Sequence, residues 1–225
     1  MCVSLKIAID GPAGAGKTTT ARLVARALGL IHVDTGAMYR AVALQVLREN
    51  VEPDNEESVR RVLDHVEIHQ EIVGEEVRTY LNGEDVSKAI RTPEVDHIVS
   101  RISAYPFVRA KMVDIQRKLA SKGGVVIEGR DIGTVVIPDA DLKVFMRATP
   151  EERAKRRLKE LEGKGICANY DEILAEIRKR DELDSTRDHS PLKIPEDAFI
   201  VDTTNLSIEE QVDLILKEVK RRFCL

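Results

Sequence analysis

The stretch IAIDGPAGAGKTTTARLVARAL, from Ile7 to Leu28, constrains this chain more than any other. A short apolar run, residues 5–10, leads straight into GPAGAGKT. That octapeptide fits the pattern G-x-x-x-x-G-K-[ST] at Gly11, Gly16, Lys17 and Thr18. Ala21, Val24, Ala25 and Leu28 then recur at helical spacing. A strand, a glycine loop and a helix in that order form a phosphate cradle. The loop turns its backbone N–H groups inward, and the helix N-terminus adds positive dipole. The cradle comprises Gly11, Pro12, Ala13, Gly14, Ala15, Gly16, Lys17, Thr18 and Thr19. Lys17 is placed to reach the β- and γ-phosphates of a nucleoside triphosphate, and Thr18 to ligate Mg2+. The loop thus identifies a phosphoryl donor and leaves the acceptor open.

Four more apolar runs have the continuous character of strands buried on both faces: LIHVD (30–34), GVVIEG (124–129), LKVFMRA (142–148) and AFIVDT (198–203). Helical patterns separate or follow them. The last helix is opened by Ser207 with Glu210 three residues on, a capping box, and carries Ile208, Val212, Ile215 and Val219 on one stripe. Strands alternating with helices predict an α/β fold, a five-stranded parallel sheet flanked by helices. Two stretches break the alternation. Residues 65–88 alternate with a period near two and contain an Asn82-Gly83 turn, which predicts a small antiparallel sheet. Residues 150–169 read as a highly charged helix ending in a glycine-containing loop. A single domain over 1–225 is therefore expected, with a core of 1–64, 104–149 and 170–225, an insertion at 65–103 and a short helical lid at 150–169.

Several classes are excluded or disfavoured. No N-K-x-D occurs to read guanine, and 225 residues are few for a motor. A formal charge of −4 argues against a general nucleic-acid surface, so anions must be held by local Arg and Lys. Cys2, Cys167 and Cys224 are odd in number and far apart, which predicts reduced thiols in a cytoplasmic protein. His32, His65, His69, His97 and His189 show no metal-ligand spacing and read as structural or surface residues. The N-terminal run is expected to be a first strand, not a signal peptide, and no run is long enough to span a membrane.

The rest of the sequence places arginines where ligands bind in open α/β sheets. Arg40 follows the second strand, and Arg130 and Asp131 follow the third. Arg180, Asp184 and Arg187 form another mixed cluster, which a solvated helix end would explain equally well. Arg153 and Arg157 are i,i+4 like charges that need either an anion or nearby Glu partners. A phosphate acceptor is already an anionic nucleophile at pH 7, with a second pKa of about 6. It needs no base, but its repulsion from the donor must be offset, and guanidinium forks do that best. A hydroxyl acceptor would instead need a carboxylate, and Asp131 could serve.

Taken together, IAIDGPAGAGKTTTARLVARAL, VDTGAMYRAVAL, LNGEDVSKAIRTPEVDHIVSRISAYPFVR, IEGRDIGTVVIPDADLKVFMRATPEERAKRR and RDELDSTRDHSPL resemble the bacterial cytidylate (CMP) kinase family, from about Ile7 to about Ile215. The pieces DTGAMYR, GRDIGTVV and RDELDSTR are the most specific, and the second Thr of GKTTT is a small departure. The resemblance implies a P-loop kinase whose insertion binds the nucleoside monophosphate. It would transfer a phosphoryl group from Mg-ATP to CMP, and to dCMP, in pyrimidine nucleotide metabolism. A cytoplasmic monomer is expected, with no membrane or nucleic-acid partner.

By the same resemblance, Arg40, Arg130 and Arg187 would hold the acceptor phosphate, and Arg180 and Asp184 the ribose. Ser100, Arg109 and Asp131 would read the cytosine, with Thr35 and Tyr39 lining the pocket. The base chemistry agrees, since cytosine offers an N4 donor to a carboxylate and N3 and O2 acceptors to Arg and Ser. On their own, Ser100 and Arg109 would be taken as helix-surface residues. Arg153 and Arg157, with Arg156 beside them, would close as a lid over the ATP phosphates and join Lys17, Arg130 and Arg187 in catalysis. The loop DTTNLS (202–207) would lie near the adenine. The alternative is a small P-loop kinase acting on a sugar or shikimate-like hydroxyl.

Overall fold

The computed structural model describes residues 4–74 and 76–223. Five strands, β1 (Lys6–Asp10), β2 (Ile31–Asp34), β6 (Val125–Gly129), β7 (Leu142–Arg147) and β8 (Phe199–Asp202), form one sheet in the order β2-β6-β1-β7-β8. The pairs β1–β6, β1–β7 and β7–β8 are parallel. All five strands fall within the expected apolar runs. The central strands are continuous in sequence because both of their faces are covered: Ile7, Ala8 and Ile9 of β1 and Val126 and Ile127 of β6 are fully buried. The register sets Asp10 beside both Gly129 and Phe145, so the carboxyl ends of β1, β6 and β7 lie together.

The described chain divides into two compact units. One runs to His32 and resumes at Gly123; the other is Val33–Lys122. In the first unit, α1 (Lys17–Leu28) and α8 (Ile208–Phe223) pack on the sheet through Ala21, Val24, Ala25, Ile215 and Val219. Ser207 and Glu210 make the expected capping box: the Ser207 N–H donates to Glu210 Oε2 at 2.8 Å and the Glu210 N–H to Ser207 Oγ at 3.2 Å. Two further helices, α6 (Pro150–Gly163) and α7 (Tyr170–Thr186), share a smaller core of Ala154, Leu161, Ile173 and Ile177.

The second unit holds α2 (Thr35–Arg48), α3 (Glu56–Asp64), α4 (Pro93–Ala104) and α5 (Pro106–Ala120). It also contains the small antiparallel sheet, formed by β3 (Ile68–Val73), β4 (Glu76–Leu81) and β5 (Glu84–Asp85). Asn82 and Gly83 both have positive φ, 50° and 84°, as the tight turn between β4 and β5 requires. Cys167 is exposed, whereas Cys2 and Cys224 lie outside the described residues. No helix among the described residues is long and apolar enough to cross a membrane.

Candidate active site

The glycine loop joins β1 to α1. Gly11 has φ 151°, and a Cβ there would fall 2.0 Å from the backbone oxygen of Met146 on β7. No side chain fits, so glycine is the condition for packing the loop against the sheet. Lys17 opens α1 with its ammonium buried, donating to the Pro12 carbonyl at 2.7 Å. Burial first, and then the repulsion of Arg130, push it down to about 7. Ala13 and Ala15 offer their carbonyls elsewhere: Arg153 Nη1 donates to Ala13 O at 3.1 Å, and Thr203 Oγ1 to Ala15 O at 3.0 Å. Thr18 and Thr19 are exposed at the helix start.

Two residues at this loop escaped the reading from sequence. The Thr18 hydroxyl donates to Glu128 Oε2 at 2.9 Å, and the other Glu128 oxygen lies 3.1 Å from His32 Nε2. Both Glu128 and His32 are buried. The signal for Glu128 was a carboxylate at the carboxyl end of a buried strand, just before Gly129-Arg130-Asp131. An oxygen-only set of Thr18, Glu128 and donor phosphates suits a hard cation such as Mg2+. Among the described residues no group of three or more His, Cys, Asp and Glu could itself hold a metal.

The GRDIG segment leaves β6 and winds into a single π-helical turn, Ile132–Val136. Asp10, the last residue of β1, fixes that turn. Its two carboxylate oxygens accept the N–H groups of Ile132 and Gly133, each at 2.8 Å. Burial pushes the Asp10 carboxyl up to about 6 even though those two hydrogen bonds pull it back. Asp131 is buried at the start of the turn, and Arg130 reaches Asp184 of α7, Nε to Oδ2 at 2.9 Å. Arg187 Nη1 is 3.8 Å from the other Asp184 oxygen. Burial works to raise the Asp184 carboxyl, but Arg130 and Arg180 beside it hold it below the usual range. Arg130, Arg180, Asp184 and Arg187 therefore form one partly buried cluster, not a solvated helix end. Lys17 shares its field, since Arg130 and Arg180 both act on that ammonium.

The three arginines of α6 are held differently. Arg153 is 2% exposed and bound on several sides, to Ala148 O, to Ala13 O and to Asp181 of α7. Arg156 pairs with Glu152 and donates to Thr203 Oγ1 at 3.2 Å, which ties α6 to the 202–207 loop. Arg157 pairs with Glu160 on its own helix at 2.8 Å.

In the unit 33–122, Thr35 begins α2 and is buried, Tyr39 lies one turn on, and Arg40 is paired with Asp96 of α4. Ser100 is half-buried on α4. Arg109 corrects the expectation of a surface residue. It is 4% exposed, with its guanidinium 5.3 Å from the centre of the Tyr39 ring and Nη1 donating to Ser103 O at 3.2 Å. An aromatic face and a carbonyl take the place of water around that charge.

A glycine loop on a parallel sheet, with a buried lysine and a helix-borne threonine, defines a P-loop nucleoside-triphosphate-binding protein. The fold is also that of an uncharacterized protein from Eubacterium ventriosum. It is similar at TM-score 0.53 and 15% identity, over 97% of this chain and 99% of that one. The model of the cytidylate kinase family matches residues 7–221. The chain is 50% identical to the cytidylate kinase of Caldicellulosiruptor saccharolyticus, over 95% of this chain and 94% of that protein. It is 47% identical to the cytidylate kinase of Bacillus subtilis, over 97% of each. The chain belongs to the cytidylate kinase family.

Proposed function

We propose that this protein transfers the γ-phosphoryl group of ATP to the 5′-phosphate of CMP, and of dCMP, giving ADP and CDP or dCDP. The observation that carries the reading is the guanidinium cluster of Arg130, Arg180 and Arg187 around Asp184, sharing one field with the P-loop Lys17. An acceptor phosphate is a dianion at pH 7, so an oxygen lone pair attacks phosphorus directly as the bond to the β-phosphate oxygen breaks. No carboxylate base is needed. The protein's task is to hold two anions in line and offset their repulsion.

In this reading Lys17 and the backbone of 11–16 grip the donor. Arg40, Arg130 and Arg187 hold the acceptor phosphate, and Arg180 and Asp184 the ribose. Asp131 accepts from the cytosine N4 amino group, and Arg109 and Ser100 donate to its N3 and O2, with Thr35 and Tyr39 beside them. Uracil, which presents O4 and N3–H, is disfavoured. Mg2+ would be held by Thr18, the Glu128 carboxylate and phosphate oxygens. When bound it supplies charge neutralisation at the β- and γ-oxygens. Arg157, paired with Glu160 on its own helix, is assigned to close on the phosphates. Arg153 and Arg156, by their partners, brace the glycine loop and the 202–207 loop against α6. We assign residues 65–103 to the acceptor-binding insertion and 150–169 to the lid, on a core of 1–64, 104–149 and 170–225. The protein is proposed to act as a cytoplasmic monomer.

The hydroxyl-acceptor alternative is not favoured by the family. The test is ADP release measured with CMP, dCMP, UMP, AMP, GMP and shikimate as acceptors. CMP and dCMP are expected to be fastest; a faster rate with UMP, or no dependence on acceptor, overturns the proposal.

A further inference from the structure

The three-stranded sheet carries none of the residues assigned above to ATP or CMP, yet one of its side chains reaches the segment that does. Gln70 of β3 grips the Asp34 backbone on both sides of its Cα. Its Oε1 accepts the Asp34 N–H at 3.1 Å, and its Nε2 donates to the Asp34 carbonyl at 2.7 Å. A carboxamide presents the same donor and acceptor as a peptide group, so one side chain makes a strand-like pairing. Nε2 also donates to Thr79 Oγ1 on β4 at 3.1 Å. Thr79 is itself buried, and Ser87 Oγ accepts its N–H at 2.9 Å. A chain of hydrogen bonds therefore runs from Ser87 through Thr79 and Gln70 to Asp34.

Asp34 is the N-cap of α2. Its Oδ1 accepts the Ala37 N–H at 2.9 Å, and its Oδ2 accepts from Arg91 at 2.6 Å. The carboxylate thus secures the helix end, while Gln70 separately fixes the two peptide groups that flank the Asp34 Cα. The next residue is Thr35, with Tyr39 and Arg40 a turn further on. Ligand groups need placement to within about 0.5 Å, and a rotation of the first turn of α2 would move all three together.

We infer that Gln70 is a positioning residue for the acceptor: by holding the Asp34 backbone at both its N–H and its carbonyl it sets where α2 begins, and with it Thr35, Tyr39 and Arg40. This rests on the proposal that those three residues hold CMP. It gives the antiparallel sheet a task, which is to buttress the acceptor helix without touching the acceptor.

Steady-state kinetics with CMP and ATP varied in turn test this on wild type, Gln70→Ala, Gln70→Glu, Arg40→Ala and, as a control in the same sheet, Arg78→Ala. Each variant's folding is verified by thermal melting. Gln70→Ala should raise KM for CMP roughly tenfold, as expected for about two lost hydrogen bonds, and leave KM for ATP within about twofold. Gln70→Glu should be at least as damaging, because a carboxylate oxygen then faces the Asp34 carbonyl; a near-wild-type Gln70→Glu would show that the amide chemistry plays no part and overturn the inference. An unchanged KM for CMP in Gln70→Ala, with a raised one in Arg40→Ala, overturns the role of Gln70 alone. Unchanged values in both overturn the CMP assignment as well. A parallel rise in both KM values with a lowered melting temperature reduces Gln70 to a structural residue. Arg78→Ala should match wild type.

Discussion

On the proposed assignment, the donor loop and the acceptor arginines address one task, holding phosphate, with different materials. The loop relies on backbone N–H groups and on a lysine that burial has stripped of part of its charge. The arginines proposed for the acceptor are guanidinium groups already matched to carboxylates, Arg130 to Asp184 and Arg40 to Asp96. Backbone donors cannot move or be neutralised, so the loop's requirements fall on glycine and on close packing, as at Gly11 against Met146. A guanidinium beside a carboxylate is oriented in advance, and its charge is available to an anion without an unpaired cation having to wait in a buried place. On the proposed assignment, shape governs the donor and charge the acceptor.

Removing each kind of grip should separate the two. The largest effect is expected from Lys17→Ala, a fall in kcat of about 10³-fold, read from initial rates at saturating ATP and CMP; a loss below tenfold would break the assignment of Lys17 to the transferring group. Next is Arg187→Ala, expected to lower kcat/KM for CMP by about 10²-fold with little change in ATP binding. Arg222, which pairs with Glu218 on α8, is the control, and Arg222→Ala should stay within about twofold of wild type. Equal, small effects at the two positions would contradict a charge-based acceptor grip. Asp131→Asn should be milder, cutting the preference for CMP over UMP by about tenfold while substantial turnover remains. Abolished turnover would instead point to a base and a hydroxyl acceptor.

The smallest effect concerns protons. Burial and the nearby Arg130 push Lys17 down to about 7, and a bound triphosphate should raise it toward its ordinary value. ATP binding should therefore take up protons at pH 8, and take up fewer at pH 6. Calorimetry in buffers of different ionisation enthalpy measures this uptake directly, and Lys17→Ala should abolish it. Buffer-independent heats at pH 8 would mean that Lys17 is already charged when the donor arrives.

The same contrast decided what could be read from sequence. Strands buried on both faces leave unbroken apolar runs, and a backbone cradle leaves fixed glycines, so the sheet and the donor loop were both legible. Charge-built features depend on partners far away in the chain. Arg109 looked like a helix-surface residue because nothing near it announces the Tyr39 ring. Glu128 and His32 sit inside runs whose periodicity cannot tell a buried polar contact from a strand interior. The arginines of α6 showed as a like-charge series, but Asp181 and Thr203 determine what Arg153 and Arg156 do.

One such partnership has a cost at neutral pH. Asp10 anchors the π-helical turn that follows Arg130 and Asp131, and it does so as a buried acid whose folded value, about 6, stands above that of an ordinary carboxyl. Its contribution to stability is complete only below about pH 4 and is lost as pH rises through 6. Through that window the fold surrenders stability in order to keep an anion under the Ile132 and Gly133 N–H groups. Near neutrality, the precision of this loop is drawn from the tolerance of the molecule to heat.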